Sequence, residues 1–177
     1  MMKIGIAGIG GIGSNVARLL AQARVKKLRI VDFDYVEESN LDRQFYKVSQ
    51  IGCRKTICLE KNLKEIFPEI KIDKLDMKIM PGQAETVFSD CGIVVEGFDS
   101  SFLKKMIIED LCRTDKIIVS ASGIAGSDID GVSVKRIGNC NIVGDFVSDQ
   151  SDSILFPPKV AVVSAMMAAL VLKNMKR

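Results

Sequence analysis

The chain predicts an α/β fold: a mostly parallel sheet with helices on both faces, extended by antiparallel strands near the C-terminus. Three observations carry that reading. Short apolar runs alternate with segments of helical character through residue 122, as strands covered on both faces by crossover helices do. The first of these runs ends in a glycine cluster, Gly8-Ile9-Gly10-Gly11-Ile12-Gly13-Ser14. Beyond Ser122 the pattern changes to glycine-punctuated, partly alternating sequence.

Taken in order, Ile4 to Ala7 reads as a buried first strand, and the glycines allow a tight turn onto a helix from Ile12 to Ala23. A second strand, Leu28 to Val31, ends in Asp32. Helical character at Lys55 to Phe67 leads to a strand at Ile70 to Leu75, and Gln83 to Phe88 leads to one at Ile93 to Glu96. A helix at Phe102 to Cys112 precedes a strand at Ile117 to Ala121. Val132 to Ile137 alternates apolar with polar residues, which predicts a half-exposed antiparallel strand. Residues 138 to 156 show no periodicity and read as a long loop. Val160 to Leu172 is apolar nearly all round, which predicts a helix covered on more than one side, by the sheet and by a second subunit. Its thirteen residues, interrupted by Ser164, are short of the roughly twenty that span a bilayer, so no membrane is predicted.

The 177 residues are 47% hydrophobic, enough for one sizeable core and too few for two full domains. We read residues 1–177 as a single domain. A net charge of +3, spread without a dense basic block, gives no case for nucleic acid. Five cysteines form no Cys-x-x-Cys pair and no leader pattern precedes the first strand, which predicts a reducing cytoplasm. There is no histidine, which excludes His-dependent triads, His-ligated metals and imidazole acid-base catalysis.

The glycine cluster places helix N-terminal amides where they can face phosphate. In a Rossmann-like site Asp32, about twenty residues further on, is positioned to hydrogen-bond ribose hydroxyls. At this point NAD and ATP stand level. Ser39-Asn40-Leu41-Asp42-Arg43-Gln44 separates them, because a dinucleotide dehydrogenase has no chemical need for an arginine just past the second strand, whereas phosphoryl chemistry does.

Glycine loop, Asp32-Phe33-Asp34, Ser-Asn-Leu-x-Arg-Gln, the lysine of Gly52-Cys53-Arg54-Lys55, and Asp99 after a fourth strand occur in the order and spacing of the ThiF/MoeB/HesA group of E1-like adenylyltransferases. The chain resembles that group over residues 3 to 122, and is most similar to the short ThiF-like proteins of thiamine biosynthesis. The resemblance implies adenylation by ATP of the C-terminal glycine carboxylate of a ubiquitin-like sulfur carrier ending in Gly-Gly, within a homodimer. That carboxylate is ionised at pH 7, so no general base is needed, and the lack of histidine leaves the mechanism intact.

The same resemblance implies roles for individual residues. Arg43 and Lys55 match phosphate-binding cations, a planar fork and a compact point charge. Asp99 matches a magnesium ligand, its structural rival being the N-cap of the following helix; Ser100 stands where the group has asparagine. Asp32 matches the ribose carboxylate, Asp34 a loop hydrogen-bonder or second magnesium candidate, and Asn40 a nucleotide contact. Gly8, Gly10 and Gly11 form the cradle, and Gly13 serves close helix-strand packing.

Departures also matter. The two Cys-x-x-Cys pairs that hold zinc in larger relatives are missing, so no zinc is predicted. Cys140 lies in the region where some relatives carry a sulfur-transferring cysteine, without a motif around it, and as a lone cysteine reads as inert. An arginine that relatives contribute from a leading helix to the partner's site has no counterpart ahead of the first strand, and Lys104 or Lys105 is the candidate substitute. Arg24 occupies a turn where the group has glycine. The competing readings are a non-catalytic E1-like nucleotide- or carrier-binding protein and, less favoured, an NAD- or FAD-dependent oxidoreductase.

Overall fold

The computed structural model describes residues 2–149 and 154–175, and its framework is a seven-stranded sheet. The strands are β1 (Lys3–Ala7), β2 (Lys27–Asp32), β3 (Lys71–Asp76), β4 (Cys91–Glu96), β5 (Ile117–Ala121), β6 (Ser133–Ile137) and β7 (Cys140–Gly144). Their spatial order is β3-β2-β1-β4-β5-β7-β6, parallel throughout except for the β6–β7 pair. The helices are α1 (Gly11–Gln22), α2 (Lys55–Ile66), α3 (Ala84–Val87), α4 (Ser101–Leu111) and α5 (Pro157–Met175).

Alternate residues of each central strand feed two cores. Ile93 and Val95 of β4 and Val119 of β5 join the cluster holding Val16 and Leu20 of α1, Leu59 of α2 and Val163 and Met167 of α5. Val94 and Ile118 point the other way, to Phe88 and to Met106, Ile107 and Leu111 of α4. Helices therefore cover both faces, as the apolar runs of β1, β4 and β5 require. In α1 the buried residues Ile12, Val16, Ala17, Leu20 and Ala21 recur at helical spacing. The helix stops at Arg24 in the left-handed region (φ 63), with the amides of Arg24 and Val25 closing onto the carbonyls of Ala21 and Leu20 at 3.0 Å each. That conformation explains why a glycine suits position 24. Here the guanidinium instead stacks over the Phe67 ring at 5.0 Å.

Three predictions at the C-terminal end need correction. Residues 138 to 156 are not one loop: Cys140–Gly144 is β7, paired parallel to β5 and antiparallel to β6. Gly138 and Asn139 form a two-residue hairpin turn with Gly138 at φ 58, a signal for strand pairing that periodicity alone does not register. The extension is thus antiparallel only at its outer pair. Second, β6 is exposed along its whole length, with Ile137 68% accessible, because it is the edge strand of the sheet. Third, α5 runs 19 residues, from Pro157 to Met175, and by length and composition alone could cross a membrane. Its packing is that of a core helix: Val160, Val163, Met167 and Val171 are buried in the cluster shared with α1 and the sheet. The opposite side is uncovered within one chain, with Ala161, Ala165 and Ala169 exposed and Val162, Met166 and Leu170 half-buried.

Candidate active site

Strand order reverses direction at β1, which lies between β2 and β4, and a cleft opens where the carboxyl ends of these strands diverge. Gly8, Gly10, Gly11, Asp32, Asp34, Arg43, Lys55 and Asp99 all line it, together with Gln44, Gly97 and an apolar wall of Ile12, Phe98, Ile124, Leu155 and Val160.

The glycine turn is built by steric need. Gly8 has φ +79, and a Cβ on Gly13 would stand 1.9 Å from the Gly8 carbonyl oxygen, so only glycine lets α1 start this close to β1. Gly13 therefore stands behind the cleft as a packing residue. Gly10 and Gly11 differ: a Cβ at either meets protein atoms no closer than 3.5 Å, and would project toward Gln44 or the stem of Arg43. No side chain caps α1, so its first amides are available to an anion.

Arg43 reaches the cleft because its loop is fastened to α1. The Asn15 amide donates to the Arg43 carbonyl (2.8 Å), the Phe45 N–H donates to Ser14 Oγ (3.0 Å) and the Tyr46 hydroxyl donates to the Ile9 carbonyl (2.8 Å). The guanidinium itself donates to the Ser39 carbonyl (2.7 Å) and to Asp42 (2.6 Å), which aims it and leaves further N–H groups of the fork. Gln44, beside it, has its Oε1 buried with no hydrogen-bond partner among the described residues. Asn40 stands behind the loop rather than in the cleft. Its buried side chain accepts from the Glu37 N–H at 3.2 Å, closing its own turn.

Lys55 is 6% exposed, so it is no part of a solvated helix face; its ammonium pairs with Asp34 at 3.1 Å at the cleft base. Asp32 is buried as well and accepts from the amides of Ile9 and Asp34 at 2.8 Å each. Burial pushes its carboxyl above the ordinary value, against the pull of these two amides and of Lys55. Asp99 is exposed to the cleft. The N-cap of α4 is Ser100, whose hydroxyl accepts from the Leu103 amide (3.4 Å), so the capping role does not fall to Asp99. Its carboxylate accepts no hydrogen bond among the described residues.

This arrangement fits a nucleotide triphosphate: open helix amides, two cations of different shape, an orphaned Gln44 acceptor and an apolar wall. It also fits magnesium, which takes one or two carboxylates and completes its shell with phosphate and water. Asp99 would hold the ion, and Asp34, paired with Lys55, lines the same cleft. Among the described residues no group of three or more His, Cys, Asp or Glu is placed to form an all-protein metal cage.

The model of the ThiF family matches residues 1–176. The chain belongs to the ThiF family. It is 30% identical over 140 residues to the adenylyltransferase and sulfurtransferase UBA4 of Candida glabrata, covering 78% of this chain and 32% of that protein. It is 28% identical over 132 residues to the tRNA threonylcarbamoyladenosine dehydratase of Escherichia coli, covering 73% of this chain and 49% of that one. The chain spans between about a third and a half of the length of these two relatives. A crystal structure of the E. coli dehydratase in complex with ATP superposes with a TM-score of 0.90 at 19% identity, over 99% of this chain and 86% of that one. The fold is the one the sequence predicts, a Rossmann-like sheet of ThiF type.

Beyond the cleft, the structure bears on the cysteine and lysine candidates. Cys140 is 3% exposed at the start of β7, and burial pushes its thiol up to about 11, which makes it a poor nucleophile. Cys53 and Cys112 are the exposed thiols. Lys104 pairs with Glu96 at 2.6 Å and Lys105 lies near Glu109 at 3.7 Å, so the first is held internally and only the second is exposed. Sequence reasoning missed Glu96 altogether. It ends β4 fully buried and accepts from the Phe98 amide, Lys104 and Ser120.

Proposed function

We propose that this protein is a magnesium-dependent adenylyltransferase that activates the C-terminal glycine of a ubiquitin-like sulfur carrier, a ThiS-like protein of cytoplasmic thiamine biosynthesis. One observation carries the reading: Arg43, Lys55 and Asp99, far apart in sequence, line one cleft at the open N-terminus of α1. Adenylation needs that set. A carboxylate oxygen of the carrier attacks the α-phosphorus of ATP, the bond to the bridging oxygen breaks and pyrophosphate leaves. The attacking group is already ionised, so the chain has no proton to remove, in keeping with its lack of histidine. Its work is alignment and charge. The α1 amides and Arg43 hold phosphate oxygens, and Lys55, buried beside Asp34, is a fixed cation for the charge that develops on the leaving group. Bound magnesium supplies further neutralisation of that charge.

Homodimerisation is part of the proposal, supported by the uncovered apolar side of α5. The test is incubation of the chain with ATP, magnesium and a Gly-Gly-ending carrier, followed by mass spectrometry of the carrier. A carrier adenylate is the expected product. An unmodified carrier, with AMP formed only when total tRNA is added, would replace the carrier by a tRNA substrate. No product with either, while ATP still binds, would mark a binding module without transfer activity.

A further inference from the structure

Glu96 is the one fully buried carboxylate among the described residues, at 0% exposure. Burying a carboxylate costs several kcal/mol, and an apolar residue here would simply continue the run Ile93 to Val95 into the core. The fold therefore has little use for it, and its contacts indicate what does. Its Oε2 accepts from the Lys104 ammonium and the Ser120 hydroxyl, both at 2.6 Å, which tie it to α4 and β5. Its Oε1 turns back along the chain to accept from the Phe98 N–H at 2.8 Å.

The segment so held is the cleft floor, since Gly97, Phe98 and Asp99 all line it. On its other side the floor is pinned by backbone. The Gly97 amide donates to the Ala7 carbonyl at 2.8 Å, and a Cβ on Gly97 would stand 2.7 Å from the Gly8 carbonyl oxygen. Glu96 supplies the second clamp, and Ser100 caps α4, so the Asp99 carboxylate stays open to the cleft.

We propose that Glu96 is a positioning residue, whose buried carboxylate, itself fixed by Lys104 and Ser120, holds Phe98 and Asp99 in the geometry that receives the nucleotide. The inference rests on the nucleotide reading of the cleft. Calorimetric titration of the whole chain with ATP, at several magnesium concentrations, tests it alongside thermal melting. Glu96→Gln keeps an acceptor for the Phe98 amide but turns its NH2 toward Lys104, which is free to turn to water, and is expected to bind more tightly than the double variant Glu96→Leu/Lys104→Met, which removes clamp and charges together. Because replacing a buried ion pair by apolar groups is often neutral for folding, the double variant is expected to melt at or above the parent temperature yet bind about tenfold more weakly. Its half-saturating magnesium concentration is expected to rise, which a purely structural role would leave unchanged. Glu96→Met, which lets the quarter-exposed Lys104 turn to water, gives the same comparison if the double variant does not fold. A folded variant that binds ATP and magnesium like the parent overturns the positioning role. A parent chain that binds no nucleotide overturns the reading of the cleft itself.

Discussion

At the scale of single residues, the motifs named side chains that line one cleft, whereas their surroundings could not be read. Lys55 sits in sequence among Arg54, Glu60 and Lys61, which reads as a wet helix face; in the fold it is buried beside Asp34, next to the antiparallel bridge between Tyr35 and Arg54. Glu96 was invisible because one acid after an apolar run looks like the end of a strand. A second buried pair, Lys159 with Asp145 at 2.6 Å, fastens α5 to the segment after β7 and also engages the Ala125 carbonyl. Burial pushes the Asp145 carboxyl up, but Lys159 and the amides of Val147 and Ser148 outweigh it and hold the group well below the usual carboxylate range. A carboxyl depressed in the folded state contributes stability that is complete above the unfolded value. That contribution is lost as pH falls from about 4. Asp145→Asn leaves the Lys159 ammonium, 1% exposed, without its counter-charge and is expected to cost about 3–5 kcal/mol in denaturant unfolding at neutral pH. The variant should also lose part of the parent's acid sensitivity. An unchanged unfolding midpoint and acid profile would show that the pair does not hold α5.

Among the elements, those announced by apolar periodicity were legible: five parallel strands and their helices fall within a few residues of the predicted bounds. What failed was the C-terminal extension, where pairing between segments decides the outcome. Strand β7 exists because β5 and β6 flank it, and β6 is exposed because it ends the sheet. The start of α1 yields a sharper prediction, because its two kinds of glycine should respond differently to the same methyl group. Gly13→Ala forces a contact of 1.9 Å with backbone and is expected to unfold the chain or displace α1, seen as a lowered melting temperature. Gly11→Ala meets nothing closer than 3.5 Å, so it is expected to fold normally and bind ATP at least tenfold more weakly. Equal nucleotide affinity in the folded Gly11→Ala protein would mean that α1 does not face the phosphates.

For the whole molecule, α5 covers one side of the sheet and presents its other side to solvent, where Ala161, Ala165 and Ala169 lie one turn apart beside half-buried Met166 and Leu170. The sequence predicted cover on more than one side, and a single chain provides only one. If a second copy supplies the rest, Ala165→Arg is expected to convert a dimer to a monomer in sedimentation, with secondary structure unchanged. A parent protein that already sediments as a monomer would refute the dimer. The central claim, though, is that Arg43 and the α1 amides in one cleft drive adenylation, and its most direct test is carrier-dependent exchange of labelled pyrophosphate into ATP. The parent is expected to catalyse exchange only with carrier and magnesium present, and Arg43→Ala to lose about a hundredfold or more while melting like the parent. Normal exchange by a folded Arg43→Ala protein would contradict the account.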